Sequence, residues 1–337
     1  MGRRRIAALA VAALALFVQP ARATDVRFSL DWAFQGPQAP FLLALERGFF
    51  RDEGLNVTMD RGFGSGDVPI KILAGTYDVG IADLNPTIRM KLERPELDIF
   101  SPFIINDATA LAVMTLRREG ITRPQDIVGK TLAAPETDAG RQLFPAFTRA
   151  VGIDPASVRW LTVSPQLRES MLLQRQANGI TGFITSGILS LKAGGARAED
   201  IVTFKYSEFG VDLYSTSLLT TRRWAEANPR AVTGLIRAIV RGQNEARRDP
   251  DAAIAALRRR DPLIDPAVEK ERMLLGFTEL TFTPHVVANG FGAVDPARLQ
   301  RSIDIARAAF GIARQMNAEE VYDPKFLPPA ADLRAAP

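Results

Sequence analysis

The sequence predicts an α/β fold in two lobes, with mainly parallel sheets flanked by helices. Three observations carry this. The chain has 337 residues, 47% hydrophobic and 24% charged, an ordinary globular mix at a length where one core gives way to two. Short apolar strands alternate with amphipathic helices, the pattern of parallel strands covered on both faces. The alternation comes in two series, and an apolar segment then leads back from the second.

In the first series, residues 26–30 alternate as a strand and a loop leads to a helix over 38–47. Residues 55–59 form the next strand, followed by a glycine turn and a helix over 67–73. Residues 79–82 are a short buried strand, and Asn85-Pro86 opens a helix ending near Arg94. Strands follow at 99–104 and 111–116. The second series has strands at 131–134, 158–163, 180–184 and 201–206, with helices at 138–151 and 165–176. Residues 213–219 read as the returning strand. The last hundred residues are mainly helical: over 229–246, Val232, Leu235, Ile236, Ile239 and Val240 share one face, with Arg237 and Arg241 elsewhere. Asp249-Pro250 and Asp265-Pro266 are helix starts with proline at the first position.

The organisation expected is a first lobe over 25–110, a second over 111–212, a return with C-terminal helices over 213–326, and a frayed tail at 327–337. Two crossings, near 109–113 and 211–216, join the lobes. The cleft between them is the natural ligand site, closing by hinge motion.

The beginning of the chain reads as an export signal. Arg3, Arg4 and Arg5 form a positive region, residues 6–18 an apolar run of 13, and Ala21-Arg22-Ala23 a small-x-small site, with cleavage expected after Ala23. The run is shorter than the roughly 20 apolar residues that span a bilayer. The residues after the arginines are mostly alanine, which favours ordinary secretion over twin-arginine export. The segment carries four of the 42 basic residues and no acid, so the net charge of +4 belongs to it. What remains is 38 bases against 38 acids, and nucleic-acid binding loses its electrostatic support. With no cysteine, thiolate metal sites, disulfides and a lipidated N-terminal cysteine are excluded, and a freely diffusing periplasmic monomer is expected.

Catalytic signatures are missing. The sequence has no G-x-x-x-x-G-K-[ST], H-E-x-x-H, G-x-S-x-G or calcium-loop motif. Gly62, Gly64 and Gly66 follow a strand, but a dinucleotide fingerprint would need glycine at Asp67. His285 is the single histidine and has no apparent triad or ligand partner, so it reads as structural. No enzyme activity, cofactor or metal is expected.

One segment is specific. Residues 30–57, LDWAFQGPQAPFLLALERGFFRDEGLNV, resemble the opening of periplasmic binding proteins of the NMT1/THI5-like and SsuA-like class, through Leu30, Asp31, Trp32, Ala44, Gly48, Phe49, Phe50, Glu53, Gly54, Leu55 and Val57. Residues 74–83, 164–186 and 206–232 resemble later pieces of the same class in order. The resemblance implies a type II periplasmic-binding-protein fold with two hinge crossings, serving an ABC importer with permease and ATPase partners.

The candidate site follows from strand ends and helix starts facing the cleft. Trp32 follows the first strand, where ligands of α/β sheets gather, and its face suits a ring, with Phe34 and Phe41 close in sequence. Gly64, Ser65 and Gly66 offer backbone N–H groups and a hydroxyl at a helix start, which is equally an ordinary capped turn. Asp83 and Asn85 end the third strand. Thr137 and Asp138 open the matching helix of the second lobe. Phe183 and Thr185 end another strand, and Asp212 and Tyr214 lie in a crossing.

The thiamine-precursor branch of the class has a histidine near Gln38 and a glycine-glycine-tyrosine strand followed by glutamate. Here that strand reads Thr181-Gly182-Phe183-Ile184-Thr185. The class's pyrimidine-synthase enzymes carry a cysteine-rich motif and a critical histidine, which a chain with no cysteine and only His285 does not match. The ligand expected is a planar, pyrimidine-like or aromatic nitrogenous compound. The alternatives are a sulfonate-, taurine- or nitrate-type anion, a sensor-coupled binding role, or a pyrimidine-related enzyme on the same fold.

Overall fold

Ten strands arise among residues 23–336, which are the residues described in the computed structural model. The expected export segment lies outside them except for Ala23. In chain order the strands are β1 (Thr24–Ser29), β2 (Leu55–Asp60), β3 (Val79–Asp83), β4 (Phe100–Ile104), β5 (Leu111–Leu116), β6 (Thr131–Ala134), β7 (Arg159–Thr162), β8 (Gly179–Phe183), β9 (Ile201–Lys205) and β10 (Thr216–Thr220). They build two five-stranded sheets, ordered β2-β1-β3-β10-β4 and β7-β6-β8-β5-β9.

Both sheets are mixed. In each, four strands run one way and one runs against them: β10 is antiparallel to β3 and β4, and β5 to β8 and β9. Each reversed strand is the first after the chain crosses from the other sheet. Such a strand enters at the cleft, where its neighbours end, so it can only run outward. The crossings span residues 105–110 and 206–215.

Strand chemistry matches position. On β2, Leu55, Val57 and Met59 point inward and alternate with exposed residues, as befits an edge. On β3 and β10 every residue is buried, because helices cover both faces. The helix Ala39–Glu46 packs against the helix Pro229–Arg248 on one face of the first sheet. Val68, Ile72, Leu84 and Ile88 cover the other. The anticipated apolar stripe Val232–Leu235–Ile236–Ile239–Val240 is wholly buried.

The C-terminal helices tie the lobes together. The helix Pro266–Gly276 packs on Ile184–Ala193 of the second lobe, and Pro296–Ala309 touches both Leu84–Glu93 and Phe144–Ala150. Asp249 and Asp265 cap their helices by accepting from the backbone N–H groups of Ala252 and of Ala267 and Val268.

Several expectations change. The single helix over 138–151 is two, Ala139–Gln142 and Phe144–Ala150, since Pro145 lacks the N–H that would continue the ladder. The helix over 165–176 shrinks to Arg168–Leu173 after a 3-10 turn at Pro165–Leu167. The returning strand starts at Thr216 rather than 213. The tail is not frayed: Leu333 and Ala336 are buried, and Ala336 donates its N–H to Asn244 and accepts from Arg247. Its alanines and leucine fill a groove on the helix Pro229–Arg248, a contact that local composition does not reveal.

Candidate ligand-binding site

The first wall of the site grows from the carboxyl end of β1. The chain there is held by backbone bonds from Leu30 to Asp60 O, from Gly62 to Trp32 O and from Gly64 to Asp31 O. These put Asp31 and Trp32 at the mouth of the sheet. Asp31 is buried, and its Oδ1 accepts from Gln38 Nε2 at 2.9 Å. Because a carboxylate only accepts, this bond fixes the amide's orientation. Gln38 Oε1 is left buried with no hydrogen-bond partner among the described residues. Burial pushes the Asp31 carboxyl up to about 6, against the pull of the Gln38 amide and the local backbone N–H groups, and the nearby charge of Asp83 adds to the rise.

The second wall centres on a guanidinium. Arg168, 1% exposed, opens its helix and spends all five N–H donors within the protein. Nε and Nη2 donate to Glu169 Oε1 at 3.0 and 2.6 Å. Nη1 donates to Asp138 Oδ2 at 3.2 Å and Thr181 O at 3.1 Å, and Nη2 also reaches Ser186 Oγ at 3.1 Å. Burial works against its charge, but Glu169 and Asp138 outweigh this and hold its pKa above the ordinary arginine value. Gly182 makes room: its φ is +145°, and a Cβ there would lie 2.2 Å from Arg168 Nη1. From this position the guanidinium stands over the Trp32 ring of the opposite lobe, 4.9 Å from its centroid.

Between the walls lies a cavity enclosing about 770 Å³, its open margin included. Its apolar lining includes Phe41, Ile81, Ile105, Phe183, Met273, Phe277 and Leu280. Asn106, Thr185, Ser186, Thr216, Gln243 and Thr281 add polar groups. Such a lining, mostly apolar with a few convergent polar groups, is that of a small-molecule site.

Of the residues singled out from the sequence, Trp32, Gln38, Phe41, Ser65, Asp138, Phe183 and Thr185 line this cavity. The others sit elsewhere. Phe34 packs against the first lobe's core with Arg260 over its ring. Gly64 and Gly66 face the second lobe instead: the Gly66 N–H donates to Thr137 O, and Thr137 Oγ1 donates to Phe63 O at 2.7 Å. Thr137 is therefore part of a contact between lobes. Asp83 accepts from the Asn85 N–H, Asn85 Nδ2 and Ser215 Oγ, while Asn85 Nδ2 also reaches Tyr214 O. This buried clasp anchors the returning crossing, and burial pushes Asp83 up to about 6. Asp212 pairs with Arg298 in solvent, and the Tyr214 hydroxyl accepts from the Asp295 N–H. Both brace the crossing because their side chains turn toward the helix Pro296–Ala309 rather than the cleft. His285 is exposed and bonded to Ala293 O, away from the cavity.

A family model described as NMT1/THI5 like matches residues 36–253, nearly two-thirds of the chain. The chain belongs to the NMT1/THI5-like family. Among curated members, the formylaminopyrimidine-binding protein of Halalkalibacterium halodurans is 24% identical over 233 residues, 69% of each chain. The 4-amino-5-hydroxymethyl-2-methylpyrimidine phosphate synthase of Legionella pneumophila is 22% identical over 232 residues, 69% of this chain and 72% of its own. Among solved structures, a Bordetella bronchiseptica RB50 protein superposes with a TM-score of 0.74 at 19% identity, covering 90% of this chain and 95% of that one. The alkanesulfonate-binding protein SsuA of Xanthomonas axonopodis pv. citri, bound to MOPS, gives 0.66 at 15%, covering 90% and 99%. These likenesses establish the periplasmic-binding-protein fold.

Sequence reasoning about this NMT1/THI5-like chain passed over several lining residues. Asp31 stood in the family segment beside Trp32, and its neighbour drew the attention. Arg168 lies in another matched segment, where an arginine opening a helix reads as solvated. Asn106 lies in the first crossing, and Gln243, Met273, Phe277 and Leu280 carry no local signal, because only the packing of the C-terminal helices brings them to the cleft.

Proposed function

We propose that the chain is the solute-binding component of an ABC importer, exported to the periplasm with cleavage after Ala23, and that it captures a small planar nitrogenous ligand of the pyrimidine class between its lobes. One observation carries the ligand class. Beside the Trp32 ring, the Asp31 carboxylate and the unpartnered Gln38 Oε1 are acceptors, so a matching ligand brings N–H donors on a flat frame. A sulfonate or nitrate would meet Asp31 with Arg168 already spent on protein groups. The name of the Halalkalibacterium halodurans relative, a formylaminopyrimidine-binding protein, agrees with this chemistry. Closure by ligand contacts to both lobes, followed by release to a permease driven by its ATPase, completes the reading.

The reading includes no turnover, although one relative is named a synthase: the chain has no cysteine and its one histidine does not line the cavity. The test is a thermal-shift and calorimetric panel of aminopyrimidines, alkanesulfonates and nitrate. Stabilisation by an aminopyrimidine, lost in Trp32→Ala, is expected. Response to the anions alone overturns the proposal.

A further inference from the structure

Two charged residues outside the cavity join its walls. Glu269 and Arg272, 7% and 2% exposed, sit one turn apart on the helix Pro266–Gly276. Glu269 Oε2 accepts from the Gly36 N–H at 2.6 Å and from Arg272 Nε at 2.9 Å. Gly36 begins the turn that carries Gln38, and it is flush with the helix: a Cβ there would be 2.2 Å from Glu269 O. On the other side, Arg272 Nη1 donates to Thr185 O at 2.8 Å and Ser186 O at 2.6 Å, and Nη2 to Ser190 Oγ at 3.2 Å. Thr185 and Ser186 line the site from the second lobe, as Gln38 does from the first.

We propose that Glu269 and Arg272 are positioning residues that hold the two walls in register, so that they set how long a captured ligand stays without touching it. The inference rests on the solute-binding reading. The side-chain charges satisfy each other and the backbone of both lobes, with four donors to fixed acceptors, so the pair favours the closed arrangement whichever ligand is bound. Opening the cleft breaks the bonds to Thr185, Ser186 and Ser190, and the guanidinium exchanges fixed, charge-assisted partners for water. Apparent affinity scales with the fraction of closed protein, so loss of the tether is felt in dissociation.

The chain's lack of cysteine allows a direct test. Thr58→Cys on β2 and Ala156→Cys in the second lobe accept spin labels at exposed positions, and their distance reports lobe separation. Arg272→Met is expected to lengthen and broaden that distance in ligand-free protein, with Arg272→Lys intermediate. With 4-amino-5-hydroxymethyl-2-methylpyrimidine as the probe, the dissociation rate should rise about tenfold while association changes less than about twofold, and saturating probe should restore the short distance. An unchanged distance and dissociation rate in Arg272→Met overturns the proposal, and so does a loss of thermal stability with neither of them moved. Failure of the unmutated chain to bind the probe counts against the ligand reading, and the ligand-free distances then decide the tether by themselves.

Discussion

Replacing Asp31 by asparagine should stabilise the fold while weakening capture. Asp31 is 5% exposed and its carboxyl is raised from 3.8 to about 6, chiefly by burial. Ionising it in the folded protein therefore costs about 3 kcal/mol more than in the unfolded chain, at about 1.4 kcal/mol per pKa unit. The folded-state value lies above the unfolded one, so the folded protein binds this proton more tightly. The penalty is absent below about pH 4, grows through the interval up to about pH 6, and is fully present above it. Asp31→Asn removes the charge and keeps an oxygen for Gln38 Nε2. Its amide must then turn an N–H toward backbone donors, so ~3 kcal/mol is an upper bound. Urea unfolding at pH 8 should show Asp31→Asn more stable by about 1–3 kcal/mol, with the gain vanishing near pH 4. Ligand affinity should fall roughly 10- to 100-fold through loss of a charge-assisted hydrogen bond. A variant no more stable than the parent at pH 8, or one whose gain is the same at both pH values, refutes the argument that the site holds a strained carboxylate.

Arg168→Met strands the buried Asp138 beside the half-buried Glu169 and should lower stability by about 3–5 kcal/mol, with partial recovery on adding Asp138→Asn, measured by denaturant titration. Gly182→Ala places a methyl group against Arg168 Nη1 at a φ of +145°, and should cost about 1–3 kcal/mol in the same assay while weakening the ligand response. Deleting residues 327–337 removes the bonds of Ala336 to Asn244 and Arg247 and takes the buried Leu333 out of the first lobe's core. Thermal melting should drop by several degrees, whereas a frayed tail would leave it unchanged.

The two βα series were legible because strands buried on both faces must be short and apolar, and their helices amphipathic. The runs at residues 79–82 and 111–116 fall on β3 and β5 for that reason. Where a local rule was overridden, the cause is identifiable. Pro145 divides a stretch whose apolar spacing reads as one helix. The tail's prolines and alanines read as loose until the groove that receives them is seen. At the site, strand-end logic brought Trp32, Phe183 and Thr185 to the cavity. The same logic carried Asp83 and Asn85 too far: polar groups ending a central strand face either the ligand or the incoming crossing, and here Asp83 accepts from Ser215 Oγ while Asn85 Nδ2 donates to Tyr214 O.

The amino-acid sequence alone determined the two-lobed α/β architecture, the family segment around Trp32, the helix starts marked by Asp249-Pro250 and Asp265-Pro266 and the neutral charge of the chain past its leading segment. Each of these is written in spacing or composition over a few residues. Only the tertiary structure decided which polar groups face one another across the cleft. The pairing of Arg168 with Trp32, of Arg272 with Thr185 and Ser186, and the stranding of Gln38 Oε1 join residues up to 136 positions apart (Trp32 to Arg168) or brought in by the last helices. Such contacts depend on how two separately folded lobes meet, and no local pattern encodes that meeting.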